Sequence, residues 1–318
     1  MKILVPLREF EQIQRYCDAG ADEFYFGFDD EYWEEHFGNS LDLNRMSAMG
    51  GRANRFLARD VSRVIAEIHR QQKSCYITLN SNIYTAQQVH YLEEFLNGLP
   101  EKPDGVIFSD IQLIDGIRRA SIQPVVSTMC AVYNTDILRY YQKKGVKRII
   151  LPREISLDEM TEFVKEYPEI DFEAFLMRDG CMFSDSNCLG VHQENYGGIC
   201  SFIRKNDYVF HSQESTVSLK NKKYRHFLYT DAMISNACGL CAIYRMMQLK
   251  IASGKIVGRA DRTEEVEKDI MAVYRNREIA AQCNGQQEYL ERMFLPDRWK
   301  MVCGMSCYYP EICEKRSL

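Results

Sequence analysis

Short apolar segments alternate with amphipathic segments along residues 2–178, and this alternation restricts the fold more than any other feature of the sequence. Near-continuous hydrophobicity is typical of parallel strands that are covered on both faces. Seven strands are predicted within this range: Ile3–Leu7, Glu23–Phe28, Cys75–Leu79, Gly105–Ser109, Pro124–Ser127, Arg148–Leu151 and Phe172–Met177. An eighth predicted strand, Lys255–Val257, precedes the amphipathic stretch Thr263–Arg277.

The segments between these strands have the residue spacing of amphipathic helices. Thr85 and Ser156 are suitable N-caps, and Gly20 and Gly145 are suitable helix stops. Eight parallel strand–helix units predict an α/β fold, a closed (β/α)8 TIM-type barrel. An open doubly wound sheet is the alternative, but the spacing is even and no GxGxxG loop follows the first strand. The predicted helices are Glu9–Ala19, Ser62–Gln71, Ala86–Leu99, Ile111–Ala120, Asp136–Lys144 and Leu157–Tyr167.

Two long segments interrupt the alternation, residues 30–58 after strand two and residues 179–240 after strand seven. Both follow the carboxyl ends of strands, where the active-site loops of a barrel lie. We therefore predict a barrel over residues 1–278 that includes the insertion 179–240, followed by a small cysteine-rich cap at 279–318.

Composition narrows the class of protein. The N-terminal apolar run ends at Arg8 and Glu9, too early for a signal peptide, and no uncharged run is long enough for a membrane span. We expect a soluble, cytoplasmic protein. A net charge of −5 does not indicate a general nucleic-acid binder. Twelve cysteines in a reducing compartment indicate metal ligands or redox groups more than disulfides.

Five of the cysteines have the spacing Cys181-x6-Cys188-x11-Cys200-x37-Cys238-x2-Cys241. Zinc ribbons usually need two CxxC knuckles, and this run has one. Thiolates without paired knuckles suit an iron–sulfur cluster, whose bulk lets distant ligands converge. We expect a cluster on the first three cysteines and on Cys238 or Cys241; zinc, or free or redox-active thiols, are the alternatives.

The C-terminal cap carries another group of cysteines: Cys283, Cys303, Cys307 and Cys313. Together with the spare member of the CxxC pair, they could hold a second metal or cluster. The alternative is a set of packed or redox-active thiols.

Polar side chains at the predicted strand ends form the candidate site. Several arginines that converge on one pocket suit a substrate with carboxylates, because a guanidinium binds a carboxylate with two parallel hydrogen bonds. The alternative is that Arg153 and Arg259 form structural ion pairs with Glu173 or Asp110. The catalytic candidates are Asp110, Arg153, Glu173, Arg178 and Arg259, with Asn80, Ser127, Arg52 and Asn54 nearby.

Three segments resemble the collagenase-like peptidase family, catalogued as peptidase family U32. EAFLMRDGCMFSDSNC at 173–188 resembles its cysteine signature, GICS at 198–201 its third cysteine, and CGLCAIYRMMQLKIASGKIVGR at 238–259 its Lys-Ile-Glu-Gly-Arg stretch. Shorter pieces, among them GGRANRF at 50–56 and RIILPRE at 148–154, follow the same order. The resemblance covers residues 1 to about 260.

The resemblance implies a barrel with one 4Fe-4S cluster held by four cysteines. It also implies oxygen-independent hydroxylation, of ubiquinone precursors or of RNA bases, with prephenate, a dicarboxylate, as the oxygen source. Two departures are clear: Met177-Arg178-Asp179-Gly180 lacks the usual His, and Val257 replaces the Glu of the Lys-Ile-Glu-Gly-Arg stretch. These departures favour a second interpretation, a non-catalytic cluster-bearing subunit of a heterodimer with a paralogue.

Peptidase activity is the remaining enzymatic alternative. The sequence has neither HExxH nor a GxSxG elbow, and the nearest Cys–His combination is Cys181 or Cys188 with His192. RNA binding could use the basic run at 220–226 with its neighbouring aromatic residues, but a solvated loop explains that run as well.

Overall fold

A closed barrel of eight parallel strands forms the centre of the protein. The computed structural model describes residues 1–38, 42–181, 184–187, 209–211, 216–218, 237–303 and 306–314. Strand β1 pairs with both β2 and β8, which closes the barrel and confirms the predicted TIM-type fold. The strands are β1 Lys2–Pro6, β2 Glu23–Phe26, β3 Ser74–Leu79, β4 Gly105–Phe108, β5 Gln123–Val126, β6 Arg148–Ile150, β7 Asp171–Met177 and β8 Ser253–Ile256.

Helices surround the barrel and bury one apolar stripe each. In α3, Val61, Val64, Ile65 and Ile68 are buried, at the spacing of one helical face. Capping boxes at Thr85 and Ser156 start α4 and α7, as predicted. The helices are α1 Glu11–Ala19, α2 Glu31–Phe37, α3 Val61–Arg70, α4 Ala86–Gly98, α5 Leu113–Arg119, α6 Thr135–Lys143, α7 Leu157–Glu166, α8 Ile243–Gln248, α9 Thr263–Ala281, α10 Gln286–Arg292, α11 Asp297–Val302 and α12 Glu311–Glu314.

Short strand pairs lie outside the barrel. Phe28–Asp29 pairs with Phe56–Leu57 in the long segment after β2, and Val209–His211 pairs with Thr216–Ser218 in the cysteine insertion. No helix in the described ranges has the length and apolarity that crossing a membrane would need.

The interior of the barrel contains a buried charged layer. The guanidinium of Arg148 donates to Glu23 Oε2 at 2.5 Å and to Glu173 Oε1 at 2.6 Å. It also donates to the hydroxyl of Tyr76 at 2.6 Å. Lys255 donates from Nζ to the second oxygen of Glu173 at 3.3 Å. These side chains come from five strands, so the layer links opposite sides of the barrel.

The C-terminal segment packs against the chain that follows β7. The backbone N–H of Cys238 donates to Ser306 O at 3.3 Å, and the N–H of Tyr308 donates to Cys238 O at 3.1 Å. The side chain of Trp299, which is 1% exposed, donates to Asp269 on α9 at 2.8 Å. The predicted cap is thus joined to the barrel mouth by backbone pairing as well as by side-chain packing.

Candidate functional site at the barrel mouth

A cavity of about 200 Å³ opens at the carboxyl ends of the barrel strands. Four cationic side chains and one carboxylate line it, namely Arg45, Arg153, Lys255 and Arg259, with Asp179. Burial, followed by the charge of Asp261, raises the pKa of Asp179 to about 6. The excess of cations suits an anionic ligand. The other lining residues are Tyr25, Met46, Thr78, Asn80, Ile107, Ser127, Thr128, Ile150, Phe175, Gly180, Cys181, Val257 and Gly258.

Arg259 is buried in this wall, 7% exposed, and its guanidinium binds neutral oxygens. Nη1 donates to Thr78 Oγ1 at 3.1 Å and to Asn54 Oδ1 at 3.3 Å. No carboxylate in the described part of the chain forms an ion pair with it, and burial lowers its pKa to about 10. The alternative interpretation, an ion pair of Arg259 with Glu173 or Asp110, is therefore wrong. A buried guanidinium without a direct ion pair is suited to bind an anion.

Gly27 allows the approach of Arg259 to the barrel wall. A Cβ atom at this position would lie 2.2 Å from Arg259 Nη1 and 2.5 Å from Asn54 Oδ1. A side chain here would therefore displace the guanidinium or its acceptor.

Arg153 has a different environment, because it pairs with Asp185 and not with Glu173 or Asp110. Arg45 Nη1 lies 3.4 Å from the same carboxylate. Burial would raise the pKa of Asp185, but the charges of Arg153 and Arg45 outweigh it and hold that pKa well below its usual range. The Cζ of Arg153 also lies 3.9 Å from the ring centre of Phe175. Arg153 and Arg45 thus share the carboxylate of Asp185 on this side of the cavity.

Three of the predicted catalytic residues do not line the cavity. Arg178 forms ion pairs with Asp261 at 2.8 Å and with buried Asp269. Asp110 accepts from the backbone N–H groups of Tyr84 at 2.8 Å and of Gln112 at 3.0 Å, and so holds the loop between β4 and α5. Glu173 lies in the charged layer beneath the cavity and reaches it through its contact with Lys255.

The turn that carries Cys181 to the cavity has an uncommon backbone conformation. Arg178 and Asp179 have backbone φ values of 68° and 37°, a conformation that residues other than glycine rarely adopt. Tyr308 holds this turn from the C-terminal segment, because its hydroxyl donates to the carbonyl oxygens of both residues. Arg153 Nε donates to the Asp179 carbonyl at 2.9 Å as well. Two groups from distant parts of the sequence, through three hydrogen bonds, thus hold the turn that precedes Cys181.

Replacing Tyr308 with Phe removes the hydroxyl that holds this turn. We expect the free energy of unfolding to fall by about 1 kcal/mol, because buried carbonyl groups lose a hydrogen bond. Urea unfolding measures the change. Tyr244→Phe is the control, since no described residue accepts a hydrogen bond from that hydroxyl. Equal stability of the Tyr308→Phe variant and the unchanged protein would contradict the expectation.

The predicted cluster ligands are only partly within the described ranges. Cys181 lines the cavity, and Cys238 is buried beside Met177 in an antiparallel bridge. Cys188 and Cys200 lie outside the described residues, as does the basic run at 220–226. Within the described ranges, no three Cys, His, Asp or Glu side chains are grouped to hold a metal ion.

The cysteines of the cap approach the CxxC pair. A hydrogen bond with Cys241 lowers the pKa of Cys307 to about 7. Cys303 is exposed, and the thiol of Cys283 donates to the Ile279 carbonyl of its own helix at 3.1 Å. The side chain of Cys313 lies outside the described part. The second metal site therefore stays a prediction, with Cys241 and Cys307 as its two adjacent members.

Four residues of the cavity region were not predicted from the sequence as site residues, namely Lys255, Arg45, Asp185 and Tyr25. Lys255 carried a usable signal, because Ser253 and Lys255 are polar residues two positions apart, so one face of strand eight had to point into the barrel. Arg45 and Asp185 carried none, since both come from irregular segments whose path the residue pattern does not predict.

Comparisons with known proteins identify the sequence family of this chain. Residues 8–299 match the sequence model of peptidase family U32. The chain is 24% identical over 309 residues to tRNA hydroxylation protein P1 of Bacillus subtilis, covering 92% of this chain and 67% of that protein. It is 28% identical over 140 residues to tRNA hydroxylation protein P of Haemophilus influenzae, and the match covers 43% of this chain and 30% of that protein.

One further curated sequence and one solved structure are also similar to this chain. An uncharacterized protease of Methanocaldococcus jannaschii is 24% identical over 194 residues, covering 59% of this chain and 43% of that protein. The solved structure of the U32 peptidase Mk0906 superposes on this chain with a TM-score of 0.45 and 11% sequence identity. The superposition covers 61% of this chain and 78% of the Mk0906 chain. The chain spans 30% to 67% of the three curated relatives. Because the family match covers nearly the whole chain, this protein belongs to peptidase family U32.

Proposed function

We propose that this chain is an iron–sulfur protein that binds a small carboxylate anion in the barrel cavity and takes part in oxygen-independent hydroxylation of an RNA base. The observation that carries the proposal is the position of Arg259. Its buried guanidinium, without a carboxylate partner in the described part, lines the same cavity as Cys181. A prephenate-like dicarboxylate suits the cationic lining, and the relatives named for tRNA hydroxylation supply the reaction class.

A cluster would be held by Cys181, Cys188, Cys200 and one of Cys238 or Cys241. Cys181 fits this role, because its thiol lines the cavity and its turn is fixed by Tyr308 and Arg153. Arg153 also stabilises the thiolate form of Cys181 through its charge. When bound, the cluster would supply electron transfer, while Arg259 and Arg45 orient the anion beside it.

Peptidase activity has less support at this site. A nucleophile–base pair needs a base within hydrogen-bond reach of Cys181. The residues that line the described cavity include no histidine.

Anaerobic purification with iron and acid-labile sulfide analysis tests the cluster. We expect a coloured protein with charge-transfer absorption, and Cys181→Ser should lose most of its iron. Cys17→Ser is the matched control, because Cys17 is a half-buried thiol on α1, and it should keep its iron. A colourless protein with stoichiometric zinc, or full iron in Cys181→Ser, would overturn the cluster.

The hydroxylation itself needs a separate test. Nucleosides from the tRNA of cells with and without the gene are compared by mass spectrometry after anaerobic growth. We expect one nucleoside to lose the mass of one oxygen atom in the deletion strain, and an Arg259→Ala allele to fail to restore it. Identical nucleoside profiles in both strains would contradict the hydroxylation role.

A further inference from the structure

One reactive group in the cavity has no role in the proposed function, the amine of Lys255. Its side chain comes from β8, is 5% exposed, and lines the cavity floor. Nζ lies 3.3 Å from Glu173 Oε2 and 4.0 Å from the ring centre of Tyr25. A structural ion pair with Glu173 is the simplest interpretation, but Glu173 also accepts from Arg148 at the shorter distance of 2.6 Å.

The surroundings of Lys255 favour the neutral amine. Burial, which Glu173 opposes and the charges of Arg148 and Arg259 reinforce, lowers its pKa to about 8. Lysines that act as nucleophiles toward carbonyl groups are activated in the same way, by desolvation and by neighbouring cations. Close to neutral pH, a useful fraction of Lys255 is therefore unprotonated.

A carboxylate receptor lies beside this amine. Arg259 and Lys255 both face the ring of Tyr25, with Arg259 Cζ 6.0 Å from the ring centre. Arg259 donates to Asn54 and Thr78, and no carboxylate among the described residues forms a direct ion pair with it. One small molecule could therefore place a carboxylate on Arg259 and the adjacent carbon near Lys255.

We propose that Lys255 forms a covalent imine with a 2-oxo carboxylate whose carboxylate group is held by Arg259. The neutral amine attacks the carbonyl carbon, a C–N bond forms, and one amine proton moves to the carbonyl oxygen, which becomes a hydroxyl. The C–O bond then breaks as the C=N bond forms, and the hydroxyl leaves as water with the second amine proton. Glu173 Oε2 is placed to move a proton between the nitrogen and the departing oxygen. No oxidant or reductant is consumed.

This inference rests on the anion-binding part of the proposed function and does not depend on the cluster. It specifies the class of ligand: a carbonyl next to a carboxylate, small enough for a cavity of about 200 Å³. Simple carboxylates without a carbonyl would bind but would not react.

Reductive trapping tests the imine. The full chain, purified anaerobically, is incubated with pyruvate and sodium cyanoborohydride, and the intact mass and tryptic peptides are measured. We expect one reduced adduct per chain on the peptide that contains Lys255, and none with lactate. Lys255→Arg should lose the adduct. Lys2→Arg should keep it, because Lys2 contacts the same charged layer from the opposite end of the barrel, with a 57% exposed side chain.

The rate of trapping by the unchanged protein gives a second measure that needs no variant. The charged groups that face Lys255 are Glu173 on β7, Arg148 on β6 and Arg259 after β8, and burial keeps Tyr25 neutral by raising its pKa. The rate should rise by about tenfold per pH unit below pH 8 and level off above it, since the neutral amine reacts.

Three results would contradict the imine proposal. The adduct yield with pyruvate could equal the yield with lactate, or the adduct could be spread over surface lysines. The adduct could also persist in a folded Lys255→Arg variant. Iron analysis of the same samples separates the two proposals. Trapping without iron contradicts only the cluster, and iron without trapping contradicts only the imine.

Discussion

We expect Arg259→Ala to weaken the binding of a dicarboxylate such as prephenate, which we propose as the ligand, by about a hundredfold, or roughly 3 kcal/mol, because a desolvated charge pair is lost. The physical reason is the environment of Arg259. It is buried, it donates to two neutral oxygens, and no described carboxylate lies within ion-pair distance of it, although the charge of Asp29 behind Asn54 acts on it. An anion that enters the cavity provides the missing counter-charge. Isothermal titration under anaerobic conditions measures the dissociation constant.

A matched arginine variant serves as the control. Arg139 lies on the outer helix α6, is 48% exposed, and pairs with Asp136. Arg139→Ala should bind the dicarboxylate as the unchanged protein does. Gly27→Ala offers an independent approach, because its Cβ would displace the Arg259 guanidinium, and we expect it to weaken binding too. A dissociation constant within about threefold of the original in Arg259→Ala would contradict the anion receptor, as the cost of losing a buried charge pair is larger.

We expect Arg148→Met to lower the free energy of unfolding by about 3–5 kcal/mol, because two buried carboxylates lose the guanidinium that joins them and keep only one lysine contact each. Glu23 and Glu173 are both fully buried, and Arg148 binds each of them. Urea unfolding at neutral pH measures the loss. Arg139→Met is the control, since an exposed ion pair contributes about 0–1 kcal/mol.

The pH dependence of the free energy of unfolding should have the opposite sign in Arg148→Met. In the unchanged protein, burial would raise the pKa of Glu23, but Arg148 outweighs it and lowers the pKa to about 2. A depressed folded-state pKa contributes stability above the unfolded value, and this contribution is lost as the pH falls from about 4.5 toward 2. Without Arg148, burial raises the pKa of Glu23, so Arg148→Met should become more stable as the pH falls from 7 toward 5. Parallel pH profiles of the two proteins would contradict this account of the charged layer.

The barrel was predictable from the sequence because its signals are local. All eight strands lie where the apolar segments predicted them, with ends that differ by at most two residues. The N-caps at Thr85 and Ser156 form capping boxes within four residues of chain. Apolar periodicity and capping depend on near neighbours along the chain, so the residue pattern carries them completely.

The candidate site was predictable only in part. The ends of parallel strands meet at one face, so Arg153 and Arg259 were correctly placed at the mouth. Their partners were not, because Asp185 reaches Arg153 from the cysteine insertion, while among the described residues no carboxylate forms an ion pair with Arg259. Arg178 also follows a strand, but its positive φ turns its side chain toward Asp261 and Asp269.

The sequence by itself determined the order of strands and helices, the barrel class and the family signature around Cys181. Only the tertiary structure decided which charges are neutralised. Arg148 meets Glu23 across 125 residues, while Arg259 meets neutral oxygens across 181 and 205 residues. Ion pairing depends on distances of a few ångströms between side chains from different strands, and residue spacing along the chain does not encode those distances. That difference is the reason for proposing Arg259 as the anion receptor and Lys255 as the amine beside it.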